Sequence, residues 1–253
     1  MSKDTHIMVY DSQSEAYRIA FETFLQNTDQ KRNARAWLDA FIAHLPHTDR
    51  FIDAGAGTGQ LTSWLATKFT KTIAVEPNPY LCTQFRLSCP DIELFQQPIG
   101  QVTLPALVDL VLCSHVFYYI PFEEWLEDLE RMAAWLKPGG VVLILLQNPE
   151  TDCMRMLRHF LGQRFDLWSL MEQFKNRHGN DYHVTLDTVP AHIQTLNFRA
   201  AYIVAEFMLN LLPIPNPPPQ KAVEEYVSQF FVDSQNGYRF SCHQDFFQIQ
   251  RKG

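Results

Sequence analysis

The sequence predicts an α/β protein built on an open, mainly parallel sheet with helices on both faces. Three observations carry this. Between about residues 48 and 147, strand-like apolar runs alternate with helix-like stretches, the order that gives right-handed crossovers and parallel pairing. One run, LVDLVLCSH (107–115), is apolar almost throughout, as a strand covered on both faces must be. The first run leads directly into GAGTG (55–59), at the place where such sheets meet their ligands.

The elements follow in order. Residues 12–26 and 30–45 read as two amphipathic helices laid down before the first strand. RFIDAG (50–55) reads as a buried strand, and QLTSWLATKF (60–69) as a helix with Leu61, Trp64, Leu65 and Phe69 on one side. KTIAVEP (71–77) is a second strand, PYLCTQFRLS (79–88) a helix, DIELFQ (91–96) a third strand, and residues 107–115 the fourth. EEWLEDLERMAAWL (123–136) is amphipathic, with Trp125, Leu129, Met132 and Leu136 recurring at helical spacing. It is expected to end at KPGG, before a fifth strand VVLILLQ (141–147). Beyond residue 150, helices are expected at 151–162 and 166–177. TLDTVPAHIQTLNFRAAYIVAEF (185–207) reads as a short helix running into a long strand. PIPNPPP (213–219) is a proline-rich connection, followed by a helix over 220–231 and a last strand over 238–250.

Composition narrows the function classes. The chain has 253 residues, 46% apolar and 19% charged, which is globular rather than disordered. A formal net charge of −7 gives no basic footprint for nucleic acid. The longest apolar stretch, AAYIVAEFMLNLL (200–212), is too short to span a bilayer and carries Glu206, and the amino-terminal residues lack an apolar signal core. The five cysteines, an odd number without paired spacing, read as reduced thiols of a cytoplasmic protein. The nine histidines show no metal-ligand spacing, so no metal is expected.

The glycines can now be read chemically. A dinucleotide fingerprint needs G-x-G-x-x-G, whereas this loop is G-x-G-x-G with Asp53 two residues before Gly55. A phosphate loop ending in Gly-Lys-Ser/Thr is absent as well. Glu76 falls at the carboxyl end of the second strand, where an acid can accept from both ribose hydroxyls of an adenosine moiety. Together DAGAGTG (53–59) and AVEPN (74–78) resemble the first two motifs of class I S-adenosylmethionine-dependent methyltransferases. VDLVLCSHVFYYI (108–120) is similar to that family's fourth-strand motif, and LERMAAWLKPGGVVLIL (129–145) to its helix and fifth strand.

This resemblance implies a Rossmann-like, seven-stranded, mainly parallel sheet with an antiparallel last strand. One methyltransferase domain would span residues 1–253, with a helical lid over 1–47, a cofactor-binding core over 48–147 and a substrate side over 148–253. S-adenosylmethionine is the implied cofactor. Gly55 and Gly57 would pass beneath its methionine part, Asp53 would orient the loop, and Glu76 would hold the ribose. Gln97 stands where the family often has an adenine-reading acid, and Ser114 and His115 would lie near the adenine and the sulfonium.

The flanks add a second resemblance. YRIAFETFLQNTDQKRNARAWLDAFI (17–42) and the tyrosines 118 and 119 resemble histamine N-methyltransferases, which places Asp29 as the acid meeting an amine. His115 and Cys242 depart from that pattern, so histamine itself is not the expected acceptor. A small-molecule acceptor methylated at an amine or other nitrogen, in a monomer or homodimer, is what these features imply, with methylation of a small metabolite at oxygen, or a cofactor-binding regulatory protein without transferase activity, as the alternatives. The candidate catalytic residues are His115, Tyr118 and Asp29, with Tyr17 beside them as an aromatic pocket residue; Phe21 and Phe117 are assigned to packing.

Overall fold

The computed structural model describes residues 5–11, 14–104, 106–233, 235 and 237–253. The chain divides into two compact units, one of Leu38–Leu146, Asp166–Asp187 and Asp245–Gly253, the other of Met1–Trp37, Gln147–Phe165 and Thr188–Gln244.

The first unit carries the main sheet. Five strands, Arg50–Ala54 (β1), Lys71–Val75 (β2), Glu93–Phe95 (β3), Val108–Ser114 (β4) and Leu136–Gln147 (β5), lie in the order β3-β2-β1-β4-β5, all pairing parallel. Tyr182–Val189 (β6) and Gln244–Arg251 (β10) extend it to seven strands, β10 running antiparallel beside β5. The register of β1 on β2 pairs Asp53 with Ala74 and Ala54 with Val75, which brings the loop after β1 level with the end of β2. The expected helices form at Gln60–Ala66 (α3), Pro79–Ser88 (α4), Trp125–Ala134 (α5) and Leu167–His178 (α7). In α5 the predicted face is the buried one, with Trp125, Leu129 and Met132 inaccessible to solvent. One boundary differs: β5 begins at Leu136 and runs through KPGG, because Val108 pairs with Leu136 ahead of the irregularity between Val108 and Leu110. At the amino ends of the strands, Lys137 Nζ lies 3.1 Å from buried Asp109 and 3.0 Å from Asp49, while the Arg50 amide donates to Asp109 at 2.7 Å.

The second unit is built around Phe198–Leu209 (α8), which packs against Glu15–Asn27 (α1), Asp152–Leu161 (α6) and Gln220–Phe230 (α9). A small antiparallel sheet adjoins it, His192–Thr195 (β7), Gly237–Ser241 (β9) and Val232–Asp233 (β8), in the order β7-β9-β8. The helix Gln30–Ala43 (α2) runs from this unit into the other. Here the sequence expectation fails twice. The stretch 185–207 was expected as helix then strand, and it is strand then helix. TLDTV alternates as a strand does, and the Asn197 side chain caps α8 by accepting from the Ala200 amide at 3.0 Å. AYIVAEFM is apolar on all sides because α8 is buried on most of its circumference, which erases the helical period. The last strand is also two strands, β9 and β10, separated at Cys242 and His243 and assigned to different sheets.

Buried Glu206 is the polar exception in α8. Its carboxylate accepts from the Met8 amide at 2.9 Å, Tyr10 Oη at 2.6 Å and Tyr202 Oη at 2.9 Å. Asn210 accepts from the Tyr10 amide and donates to the Met8 carbonyl, both at 2.9 Å, so residues 8–10 are strapped along the helix.

Candidate active site

The loop after β1 is shaped by its glycines. Gly55 has φ +84° and Gly57 φ +57°, both in the left-handed region that favours glycine. Their surroundings differ. A Cβ on Gly55 would overlap the Val116 side chain, so this glycine is needed for packing. A Cβ on Gly57 would have no atom within 4 Å, so here the backbone borders open space.

Glu76 follows β2 and is buried. Its Oε2 accepts from the Gly57 amide at 2.9 Å and its Oε1 from the Asn78 amide at 2.9 Å. An ionised carboxylate has about four acceptor positions, so both oxygens keep capacity for a vicinal diol. Asp53, the next acid, is fully buried and accepts from Thr62 Oγ1 at 2.6 Å. Burial pushes its carboxyl up to about 6, helped by the nearby Glu76 charge and opposed by the Thr62 hydrogen bond. Asp53 thus ties the end of β1 to α3 through Thr62.

Beyond β4 the chain turns sharply. Ser114 is half-buried and in register with Leu145. His115 takes φ 60°, a left-handed conformation that costs a non-glycine residue about 1–2 kcal/mol. Its amide donates to the Leu145 carbonyl at 2.8 Å, and its ring stacks on Tyr118 with centroids 5.8 Å apart and planes at 20°. Phe117 is wholly buried, as assigned, against Trp125. Gln97 is exposed in the bend after β3.

Asp29 lies in the second unit, and its surroundings give it a structural job. Its Oδ1 accepts from the His192 amide at 2.7 Å and its own amide faces the His192 carbonyl at 3.3 Å, tying the start of α2 to β7. Tyr17 belongs to an aromatic cluster there, stacked on Phe21 at 6.1 Å and tilted against Phe207 at 5.7 Å. The sequence reading missed Thr62, Val116 and Asn78. Only Asn78 carried a local signal, since an Asn before Pro at the first helical position marks a helix start; its side chain accepts from the Tyr80 and Leu81 amides.

Residues 24–200 match the methyltransferase domain family. The chain belongs to that family. With its sheet order it is a class I methyltransferase, for which S-adenosylmethionine is the methyl donor. Among curated relatives, an uncharacterized methyltransferase of Oceanobacillus iheyensis is 22% identical over 155 residues, 61% of this chain and 71% of that one. Trans-aconitate 2-methyltransferase of Azoarcus sp. is 25% identical over 146 residues, 56% of each chain. Among solved structures, the N-methyltransferase NodS of Bradyrhizobium japonicum, in complex with S-adenosylhomocysteine, superposes with a TM-score of 0.57 at 12% identity. That superposition covers 95% of this methyltransferase and all of NodS, and it speaks for the fold. The residues present fit the donor: an open approach at Gly57 borders a buried carboxylate with acceptor capacity to spare.

Proposed function

We propose that this methyltransferase acts on a small molecule of the cytoplasm, at an amine or other nitrogen. The observation that carries the reading is the pairing of the Gly57–Glu76 cradle, at the ends of β1 and β2, with the ring stack of Tyr118 on left-handed His115 at the end of neighbouring β4. S-adenosylmethionine supplies, when bound, a methyl group already activated on a sulfonium. The chain's task is then mostly alignment. Glu76 would accept from the ribose hydroxyls, Gly57 would let the backbone pass close to the methionine part, and Ser114 and Gln97 would be the polar groups for the adenine. The His115 imidazole orients the acceptor and takes up the proton that a nitrogen loses on methylation; Tyr118 holds that ring in place and offers an aromatic face to a cationic acceptor.

The proposal rests on His115 and Tyr118 and gives Asp29 no step, since one of its oxygens already serves the His192 amide. The likeness of the flanking segments to histamine N-methyltransferases supports nitrogen as the acceptor atom, as does the N-methyltransferase NodS among the structural neighbours. The Azoarcus relative favours a second reading, methylation of a small carboxylate at oxygen. The absence of a basic surface in the sequence supports a small molecule over nucleic acid in either case.

The test is release of S-adenosylhomocysteine from S-adenosylmethionine with panels of small amines, carboxylic acids and phenols. Turnover with amines only is the expected result, and His115→Ala should then lower kcat at least about tenfold with donor affinity retained. Turnover confined to carboxylic acids would replace the nitrogen reading with the second one.

A further inference from the structure

We propose that Cys82 and Cys89 are positioning residues of the donor cradle, each thiol fixing one of its two backbone edges through an S–H···O bond. The proposal rests on the reading of residues 53–76 as the donor site. Cys82, in the first half of α4, donates to the Glu76 carbonyl with Sγ 3.0 Å from the oxygen. Cys89, just past the end of α4, donates to the Gly59 carbonyl at 3.5 Å. These two carbonyls belong to the residue assigned to the ribose and to the last glycine of the loop.

The hydrogen bonds around them form a closed circuit. Glu76 Oε1 accepts from the Asn78 amide; Asn78 caps α4; the Asn78 carbonyl accepts from the Cys82 amide at 2.9 Å; and the Cys82 thiol returns to Glu76. At the other end, the Gly59 carbonyl also accepts the first helical bond of α3 from the Ser63 amide at 2.8 Å. Cys89 therefore links the end of α4 to the start of α3 across the glycine loop. One helix clasps both sides of the cradle, and the Gly57–Glu76 bond closes it between them.

The chemistry suits a donor and not a reactive thiol. Both sulfurs are buried, and burial, with the Glu76 charge beside Cys82 and the Asp53 charge beside Cys89, raises both thiols above their ordinary range. They keep their protons at neutral pH, and a thiol so shielded is inert toward oxidants. S–H is a weak donor, so the effect of each is expected to be modest and felt mainly as cradle geometry.

The experiment is calorimetric titration with S-adenosylhomocysteine, with thermal unfolding measured in parallel on every variant. Cys82→Ala and Cys89→Ala should each weaken binding about 3- to 10-fold, the scale of one lost hydrogen bond. Cys82→Ser and Cys89→Ser, which restore a donor, should bind within about twofold of wild type. Cys153→Ala, an equally buried thiol on α6, should lower the melting temperature without changing affinity. Wild-type affinity in both alanine variants, or serine variants as impaired as alanine ones, would overturn the proposal. Glu76→Ala separates the two levels: if it abolishes binding while the alanine variants bind normally, the cradle stands and the thiol role falls. If Glu76→Ala also binds normally, the cradle itself is misassigned.

Discussion

Replacing Asp53 by Asn should change how stability depends on pH, and the size of the change follows from the buried carboxyl. In the folded chain Asp53 titrates at about 6, against about 3.8 for an unperturbed Asp, because it is fully buried and near Glu76. The raised value means that the folded state holds this proton more tightly than the unfolded state. The stabilising contribution is therefore complete below about pH 4 and is lost as pH rises through about 6. A difference of about 2 units, at 1.36 kcal/mol each, amounts to about 3 kcal/mol. Asn cannot ionise, yet its carbonyl can still accept from Thr62 Oγ1, so the variant should keep the loop and lose the titration. Urea unfolding at several values between pH 4 and pH 7.5 measures this directly. The stability of Asp53→Asn minus that of wild type should increase by about 3 kcal/mol across the range, other groups cancelling in the difference. A flat difference, or one that falls with pH, would refute the reasoning about this carboxyl.

Two further outcomes follow from buried charges elsewhere. Lys137→Met should cost about 3 kcal/mol by leaving Asp109 buried without its cation, and the double variant Lys137→Met/Asp109→Asn should recover much of that loss in a melting experiment. Glu206→Gln should cost about 2 kcal/mol and release the strap, read as faster amide hydrogen exchange at Met8 and Tyr10 with little change in the β1–β5 sheet.

The core from β1 to β5 was legible in the sequence because parallel strands covered on both faces are written as apolar runs, with amphipathic helices between them. The cradle was legible for a related reason. Gly57 and Glu76 belong to adjacent strand ends, so a local pattern of glycines and one acid describes a spatial site. Beyond residue 180 this correspondence breaks down. α8 is so enveloped that its helical period disappears, and β9 and β10 follow one another in sequence but serve different sheets. Asp29 looked like a site acid, yet its amide partner, His192, is far away in the chain, and no nearby residue announces it. The thiols of Cys82 and Cys89 escaped notice for the opposite reason: seven residues apart, they suggested no motif, and only the carbonyls they meet give them a role.

The central claim, that the loop at Gly57 and Glu76 holds S-adenosylmethionine, is tested most directly by titrating S-adenosylhomocysteine into wild type and Gly57→Asn. Asn tolerates the left-handed backbone better than other side chains, and no atom lies within 4 Å of the new Cβ. The variant should melt within about 4 °C of wild type, a loss of about 1 kcal/mol for a chain of this size. Its affinity should fall at least about tenfold, because the side chain enters the space where the methionine part passes. A folded Gly57→Asn that binds as wild type does, or a wild type that does not bind at all, would contradict the account.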